Sequence, residues 1–403
     1  MSVLTSTRGQ SDLPRWFPTG FALLGRMQRG RLDVVLPDGR AFRADGAEPG
    51  GHGVLTVHNA DLFTRLAREG DLGFAEAYMD GWWDSPDLQA LMDVLMANND
   101  EVGRAFPGQG LIRAYERLRF WMHRNTRTQA QKNISHHYDL GNRFYGQWLD
   151  ETMTYSSALY QRQGESLAAA QTRKYASICD RIGVVEGQHV LEIGCGWGGF
   201  AEYAAKTRGA KITGLTISRE QHDFAKRRMF EAGLAERVNI ELRDYRDQDA
   251  TFDGIASIEM FEAVGEKFWP VYFDAIRDRL KPGGQATLQI ITIQDRLFDG
   301  YRKSVDFIQK YIFPGGMLPS PAALSDQIRT AGLDRLGSIE FGQSYAQTLQ
   351  EWHGAFNARW PDLQPLGFDE RFRRMWNFYL TSCAACFKSG ITDVTQVTMR
   401  RPA

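Results

Sequence analysis

Between His189 and Thr292 the chain alternates short apolar runs with amphipathic stretches, and no other feature restricts its fold so tightly. The apolar runs fall at about His189–Gly194, Lys211–Ile217, Val238–Arg243, Phe252–Ile258 and Gln285–Thr292, each of strand length. Between them, segments such as Ser218–Gly233 and Trp269–Leu280 carry apolar residues at helical spacing. Repeated strand–helix alternation over this length implies a parallel sheet covered by helices on both faces.

The first of these strands runs into a glycine-rich turn, VLEIGCGWGGF, in which Gly194, Gly196 and Gly199 satisfy a G-x-G-x-x-G spacing. Glycines there let the backbone turn sharply and approach a ligand at a helix N-terminus, where N–H groups point outward. A dinucleotide enzyme would carry an acid at the end of the second strand to hold the ribose hydroxyls, but that strand ends in GLTIS. Glu192 instead lies inside the first strand, two residues before Gly194. This E-x-G-x-G arrangement is similar to that of class I methyltransferases, whose ligand is S-adenosylmethionine. The spacing alone leaves nicotinamide binding, flavin binding and a purely structural turn open.

The rest of the chain frames this segment. Residues 1 to about 110 hold short alternating apolar stretches and the turn-rich aromatic segment YMDGWWDSPDL, the pattern of a small α+β domain. From Leu111 to Lys132, Arg113, Arg117, Arg119, Arg124, Arg127 and Lys132 face one acid, Glu116, and are interleaved with Leu118, Phe120 and Trp121. A basic amphipathic linker helix of this kind suits an anionic membrane surface, and it equally suits an interdomain helix with a solvated basic face. The formal net charge of -1 offers no global field for nucleic acid. With neither a leader-like start nor a stretch of about 20 apolar residues, the protein is expected in the cytoplasm. Four cysteines are too few and too uneven for a disulfide framework. Cys383 and Cys386 form a CxxC in the apolar run FYLTSCAACF, read as packing in preference to a metal or redox pair, and no metal is expected.

Read together, several segments resemble the cyclopropane fatty acid synthases, a family that includes the mycolic acid cyclopropane synthases. They are Leu72–Leu88 (LGFAEAYMDGWWDSPDL), Ser135–Tyr160 (SHHYDLGNRFYGQWLDETMTYSSALY), VLEIGCGWGG, Leu215–Gln221 (LTISREQ), Arg243–Gln248 (RDYRDQ) and Ser257–Gly265 (SIEMFEAVG). The resemblance implies a Rossmann-like methyltransferase domain over residues 133–403, preceded by the small α+β domain; the segment at about 294–333 has the length and aromatic content of an acyl-chain lid and equally suits plain helical packing. The resemblance implies that Tyr155 and Ser156 contact the methionine part of S-adenosylmethionine and that Gly194 and Gly196 underlie it. Thr216 and Gln221 would hold the ribose, and Tyr245 and Arg246 would flank the adenine. The family also holds a bicarbonate ion beside the reacting carbons. Its ligands correspond here to Glu262, Tyr345 and the amide of Ile291, while Ser157 stands at a cysteine position and Gln289 at a histidine position. Glu259 stands where glycine is usual, and the family's E-H-V-G reads Glu262-Ala263-Val264-Gly265.

The implied reaction is methylation of the cis double bond of an unsaturated acyl chain in a membrane phospholipid. Methylating an alkene leaves a carbocation, which aromatic faces stabilise by roughly 0.5–2 kcal/mol each when water is excluded. Tyr155 and Phe261 are the candidates nearest the matched motifs. Glu262 is the expected base or positioner of the base, with Tyr345 or a bound anion as its partner, because a buried unpaired carboxylate is costly. The partners implied are the inner bilayer surface, a downstream redox enzyme that would reduce a methylene product, and a second copy of the chain. Two rival readings are a small-molecule methyltransferase and a lipid-binding protein with a decayed methyltransferase fold. The N-terminal domain argues against the first; Glu192, Gly194, Gly196 and Gln221, all intact, argue against the second.

Overall fold

The computed structural model describes residues 3–102 and 140–403. The basic linker stretch 111–132 and the first residues of the Ser135–Tyr160 motif lie outside the described residues. The chain divides into two compact units, the first made of N-terminal residues together with Ser304–Tyr311 and Trp360–Ile391, the second of the remaining described residues.

The first unit carries a five-stranded sheet of β1 (Val3–Leu4), β2 (Arg29–Val35), β3 (Ala41–Asp45), β4 (Glu48–Val57) and β5 (Trp83–Asp84), in the order β1-β3-β2-β4-β5. Leu32 and Val34 of β2 alternate into a core with Phe17, Phe42 and Phe63, where the Phe17 ring lies 4.9 Å from each of the other two. The helix Glu370–Lys388 belongs to this unit, because its apolar face finds its partners there: Phe378 meets Phe74, Tyr78 and Phe307, and Lys388 pairs with Asp93 at 2.6 Å. The expectation that 133–403 forms one domain is corrected accordingly. Cys383 and Cys386 lie on the same helix, and burial pushes the Cys386 thiol up to about 12, which suits packing and not metal or redox chemistry. Among the described residues no cluster of metal ligands occurs, and no helix is long and apolar enough to cross a membrane.

The second unit is built on a seven-stranded sheet of β6 (His189–Ile193), β7 (Lys211–Thr216), β8 (Val238–Leu242), β9 (Phe252–Ile258), β10 (Leu280–Ile293), β11 (Asp334–Glu340) and β12 (Thr392–Arg400). Their order is β11-β12-β10-β9-β6-β7-β8. The five expected strands all occur within a few residues of their expected ends. Two more were not foreseen: β12 runs antiparallel between β10 and β11, so the sheet is mixed and not all-parallel. Successive residues of each strand point to opposite faces, which is why Val190 joins a core with Ile178, Phe200 and Ala204, while Leu191 joins one with Phe252, Phe273 and Ile276. Of the stretch expected to form a lid, 304–311 lies in the first unit. Pro321–Thr330 forms a helix whose Leu324 and Ile328 fill the core of this second sheet.

From β6 the chain winds outward through β7 to β8 and then crosses back to β9, so strand order reverses between β6 and β9. A crevice opens at the carboxyl ends of the strands at such a point. The residues that follow β6 and β9 are therefore brought together there, namely Gly194–Gly199 and Glu259–Ala263.

Candidate active site

The glycine turn is shaped for close approach. Gly194 and Gly196 have φ of 82° and 52°, a region that side chains disfavour. A Cβ on Gly194 would come within 2.7 Å of Met260, whereas one on Gly196 would meet nothing within 4 Å. The first glycine is thus required by packing and the second faces open space. The helix Gly199–Arg208 starts immediately after, and Trp197 is anchored by its Nε1 donating to Asn142 at 2.6 Å.

Glu192 lies buried on β6, and its Oε2 has no hydrogen-bond partner among the described residues. Burial pushes its carboxyl well above the usual range. At the end of β7, Thr216 donates to Gln221 Oε1 at 2.9 Å, and both are buried. Gln221 opens the helix Arg219–Glu231, which Ser218 caps by accepting from the Gln221 amide. Tyr245 and Arg246 form a short turn after β8. Arg246 pairs with Asp244 and lies over the Tyr245 ring at 5.5 Å.

In the loop before the helix Leu167–Ile182, Tyr155 is half-buried, with its ring 5.1 Å from Trp352 and 5.2 Å from Tyr145. Ser156 is held twice: its Oγ accepts from Lys174 Nζ at 2.6 Å and its carbonyl accepts from Gln171 at 2.9 Å. Lys174 is fully buried and is pushed down to about 7 by loss of water, against the pull of Glu259, Asp150 and Glu192. No spacing rule pointed to this lysine.

Glu259 follows β9 with φ of 50°, a left-handed conformation that explains why glycine is the easy residue at this position. Its carboxylate collects three donors. Oε1 accepts from the Ser157 amide at 2.8 Å and from Gln289 Nε2 at 2.7 Å, and Oε2 accepts from the Tyr345 hydroxyl at 2.6 Å. Three of the positions that the resemblance assigned to a bicarbonate ion therefore already hold a carboxylate belonging to the chain. Burial raises the Glu259 carboxyl above its ordinary value, opposed by Lys174 and the three donors.

Glu262 sits one short turn further on and accepts from the Ile291 amide at 2.6 Å, leaving its Oε2 buried with no partner among the described residues. Burial, and then the neighbouring Glu259, push it up to about 8. The expected Glu262–Tyr345 pair is corrected: the tyrosine hydroxyl donates to Glu259, which follows β9 three residues earlier. Phe261 is also corrected. It is 1% exposed and lies 5.2 Å from both Trp269 and Tyr272, so it is core and not a wall of the reaction site.

Among the described residues Glu192, Glu259 and Glu262 outnumber the two cations that act on them, Arg228 and Lys174, and two of the three carry an unpartnered buried oxygen, which favours a ligand that brings positive charge. Together with the open space at Gly196, this fits S-adenosylmethionine, a sulfonium with an amino group. Glu192, Gly194, Gly196, Ser156, Thr216 and Gln221 are the residues that would hold it.

A family profile described as mycolic acid cyclopropane synthetase matches residues 125–397. Tuberculostearic acid methyltransferase UfaA1 of Mycobacterium tuberculosis is 42% identical over 92% of this chain and 88% of its own length. The cyclopropane-fatty-acyl-phospholipid synthase of Escherichia coli K12 is 36% identical over 86% and 87%. Among solved structures, mycolic acid cyclopropane synthase CmaA1 complexed with SAH and CTAB superposes with a TM-score of 0.63 at 29% identity, over 67% of this chain and 98% of that one.

Proposed function

The chain belongs to the mycolic acid cyclopropane synthetase family of S-adenosylmethionine-dependent, lipid-modifying methyltransferases, and we propose that it methylates the cis double bond of an unsaturated acyl chain in a membrane phospholipid, giving a methylene- or methyl-branched chain in preference to a ring. When bound, S-adenosylmethionine supplies a methyl electrophile strong enough for an alkene without acid catalysis. The chain's own residues then have three tasks: to exclude water, to tolerate the cation left on the neighbouring carbon, and to accept one proton.

Tyr155 suits the first two tasks. It is half-buried, so its face can meet a cation, and the buried rings of Trp352, Trp148 and Tyr145, 5.1–5.8 Å from it, back it with apolar packing that excludes water. Glu259 suits the third. Its Oε1 is saturated by two donors, while Oε2 has one donor and retains a lone pair for a proton.

The observation that carries the product assignment is the Glu259 carboxylate on the donors expected for bicarbonate. Bicarbonate has three oxygens, a carboxylate two, and here both are tied to the wall. The oxygen that would complete a bound bicarbonate and take the methyl proton during ring closure has no counterpart. If the methyl C–H electrons close on the cation as the proton leaves, a cyclopropane forms. If a hydride first shifts from the methyl-bearing carbon, the cation moves onto that carbon, and loss of the methyl proton makes a methylene branch on the chain. Conversion of that methylene to a methyl branch needs a hydride from a separate flavin or nicotinamide enzyme and a proton, two electrons and two protons in all. The names of the relatives span both outcomes, the 42% identical one a methyltransferase and the 36% identical one a cyclopropane synthase.

The working surface in this reading is the inner face of the bilayer, met by the basic stretch 111–132. The test is turnover of vesicles of unsaturated anionic phospholipid, with proton NMR of the extracted lipid. Vinylic methylene signals are expected; upfield ring-methylene signals as the main product would overturn the product assignment, and equal turnover of soluble free fatty acid would overturn the membrane-surface reading.

A further inference from the structure

Gln289 is 1% exposed and donates through Nε2 to two groups, the Ser157 carbonyl at 3.2 Å and Glu259 Oε1 at 2.7 Å. A carbonyl and a carboxylate oxygen are acceptors only, so the NH2 of this amide has to face them. Its own Oε1 is thereby turned toward β12. There it accepts from Nε2 of Gln396 at 3.1 Å, and Gln396 Oε1 in turn accepts from the Ser177 hydroxyl at 2.7 Å. Gln289 and Gln396 are register partners on β10 and β12, and Gln396 is 0% exposed. Every donor and acceptor along this chain has its direction fixed by the carboxylate at one end.

We propose that Gln396 is a positioning residue for the reaction: by donating to Gln289 it locks that amide with its NH2 toward Glu259 and keeps the carboxylate unprotonated, ready to accept the substrate's proton. The inference rests on Glu259 being the proton acceptor, as proposed above. Were the Gln289 amide turned over, its carbonyl would face Glu259 and the Ser157 carbonyl. That arrangement is tolerable only when Glu259 carries a proton, and a protonated Glu259 is not a base. In the turned state the NH2 of Gln289 would meet the NH2 of Gln396, and relief would require Gln396 to turn over as well, with the Ser177 hydroxyl changing from donor to acceptor.

Two variants separate this role from simple packing. In Gln396→Met the side chain keeps its length but offers no donor, and kcat is expected to fall roughly tenfold, the worth of one unmade buried hydrogen bond, with KM unchanged. In Gln396→Glu a protonated carboxyl can replace the amide donor for acceptor, its O–H donating to Gln289 and its carbonyl accepting from Ser177. Once ionised it can only accept, and Gln289 turns over. Activity of Gln396→Glu is therefore expected near wild type at low pH and lost as pH rises, an alkaline limb that the wild type lacks. Among the described residues the other charged or titratable groups facing Glu259 are Lys174, Tyr345 and Glu262, and all three are unchanged in both variants.

The experiment compares pH profiles of initial rate on unsaturated phospholipid vesicles for wild type, Gln396→Met, Gln396→Glu and Glu259→Gln, with SAH binding as the folding control. An alkaline limb in Gln396→Glu, beside an inactive Glu259→Gln, supports the proposal. A wild-type pH profile in Gln396→Glu with Glu259→Gln inactive overturns the positioning role alone. Wild-type turnover in Glu259→Gln overturns the reading of Glu259 itself. If Gln396→Met does not fold, the near-isosteric Gln396→Glu decides.

Discussion

Replacing Glu259 by glycine removes the carboxylate and leaves its three donors, the Ser157 amide, Gln289 Nε2 and the Tyr345 hydroxyl, around a vacated space. The backbone accepts the change, because φ at this position is 50° and a left-handed residue other than glycine costs about 1–2 kcal/mol. Without its base the enzyme should slow by about 10²–10⁴-fold in carbon-dioxide-free buffer. Bicarbonate should then fill the space. Three hydrogen bonds to an ion at about 1.5–3 kcal/mol each, less an association cost of about 4 kcal/mol or more, leave up to about 5 kcal/mol. That corresponds to binding of millimolar order. The assay follows methyl transfer from labelled S-adenosylmethionine into phospholipid vesicles as bicarbonate is raised to tens of millimolar, while the wild type is unaffected by bicarbonate. The same samples give the product by NMR, and the glycine variant should shift toward the ring. Full activity of the variant without bicarbonate, or a wild-type enzyme that itself requires bicarbonate, refutes the reasoning.

Three further outcomes follow from the same geometry. Gly196→Val should abolish SAH binding measured by calorimetry, since its Cβ enters the open space of the cradle and not a packed contact; binding at wild-type affinity would place the cofactor elsewhere. Glu262 has its folded-state pKa raised to about 8 from an ordinary 4.5, so between those values the folded state holds more proton than the unfolded one. Stability should therefore fall with rising pH across that window, by at most about 1.4 kcal/mol per pH unit, and Glu262→Gln should flatten the fall in denaturant titrations while keeping the bond from the Ile291 amide. Lys174→Met removes the cation that opposes the upward push on Glu259, so the acid limb of the rate profile should move to higher pH; an unmoved limb would show that Lys174 does not act on Glu259.

The positions of five of the seven strands and the glycine turn were legible in the sequence, because each rests on local rules. Alternation of apolar residues sets strand and helix, φ above zero asks for glycine, and a cap such as Ser218 announces its helix within three residues. Even Glu259 was visible as a departure from the usual glycine. Its consequence was not, since the donors that meet it come from Ser157, Gln289 and Tyr345, which lie 102, 30 and 86 residues away.

Non-local contacts of this kind were decided only by the tertiary structure. The strand β12 inserts antiparallel beside β10 and so sets Gln396 against Gln289, 107 residues apart. The helix Glu370–Lys388 leaves the methyltransferase segment to fill the core of the first unit. Lys174 reads as one more position on an amphipathic helix until folding removes it from water and surrounds it with three carboxyl groups. Sequence by itself determined which backbone shapes were available and which residue types stood at the carboxyl ends of the strands. Which carboxylate receives which donor depended on the packing of the sheet, because hydrogen bonds and buried charges are set by distances of a few ångströms that chain separation does not encode.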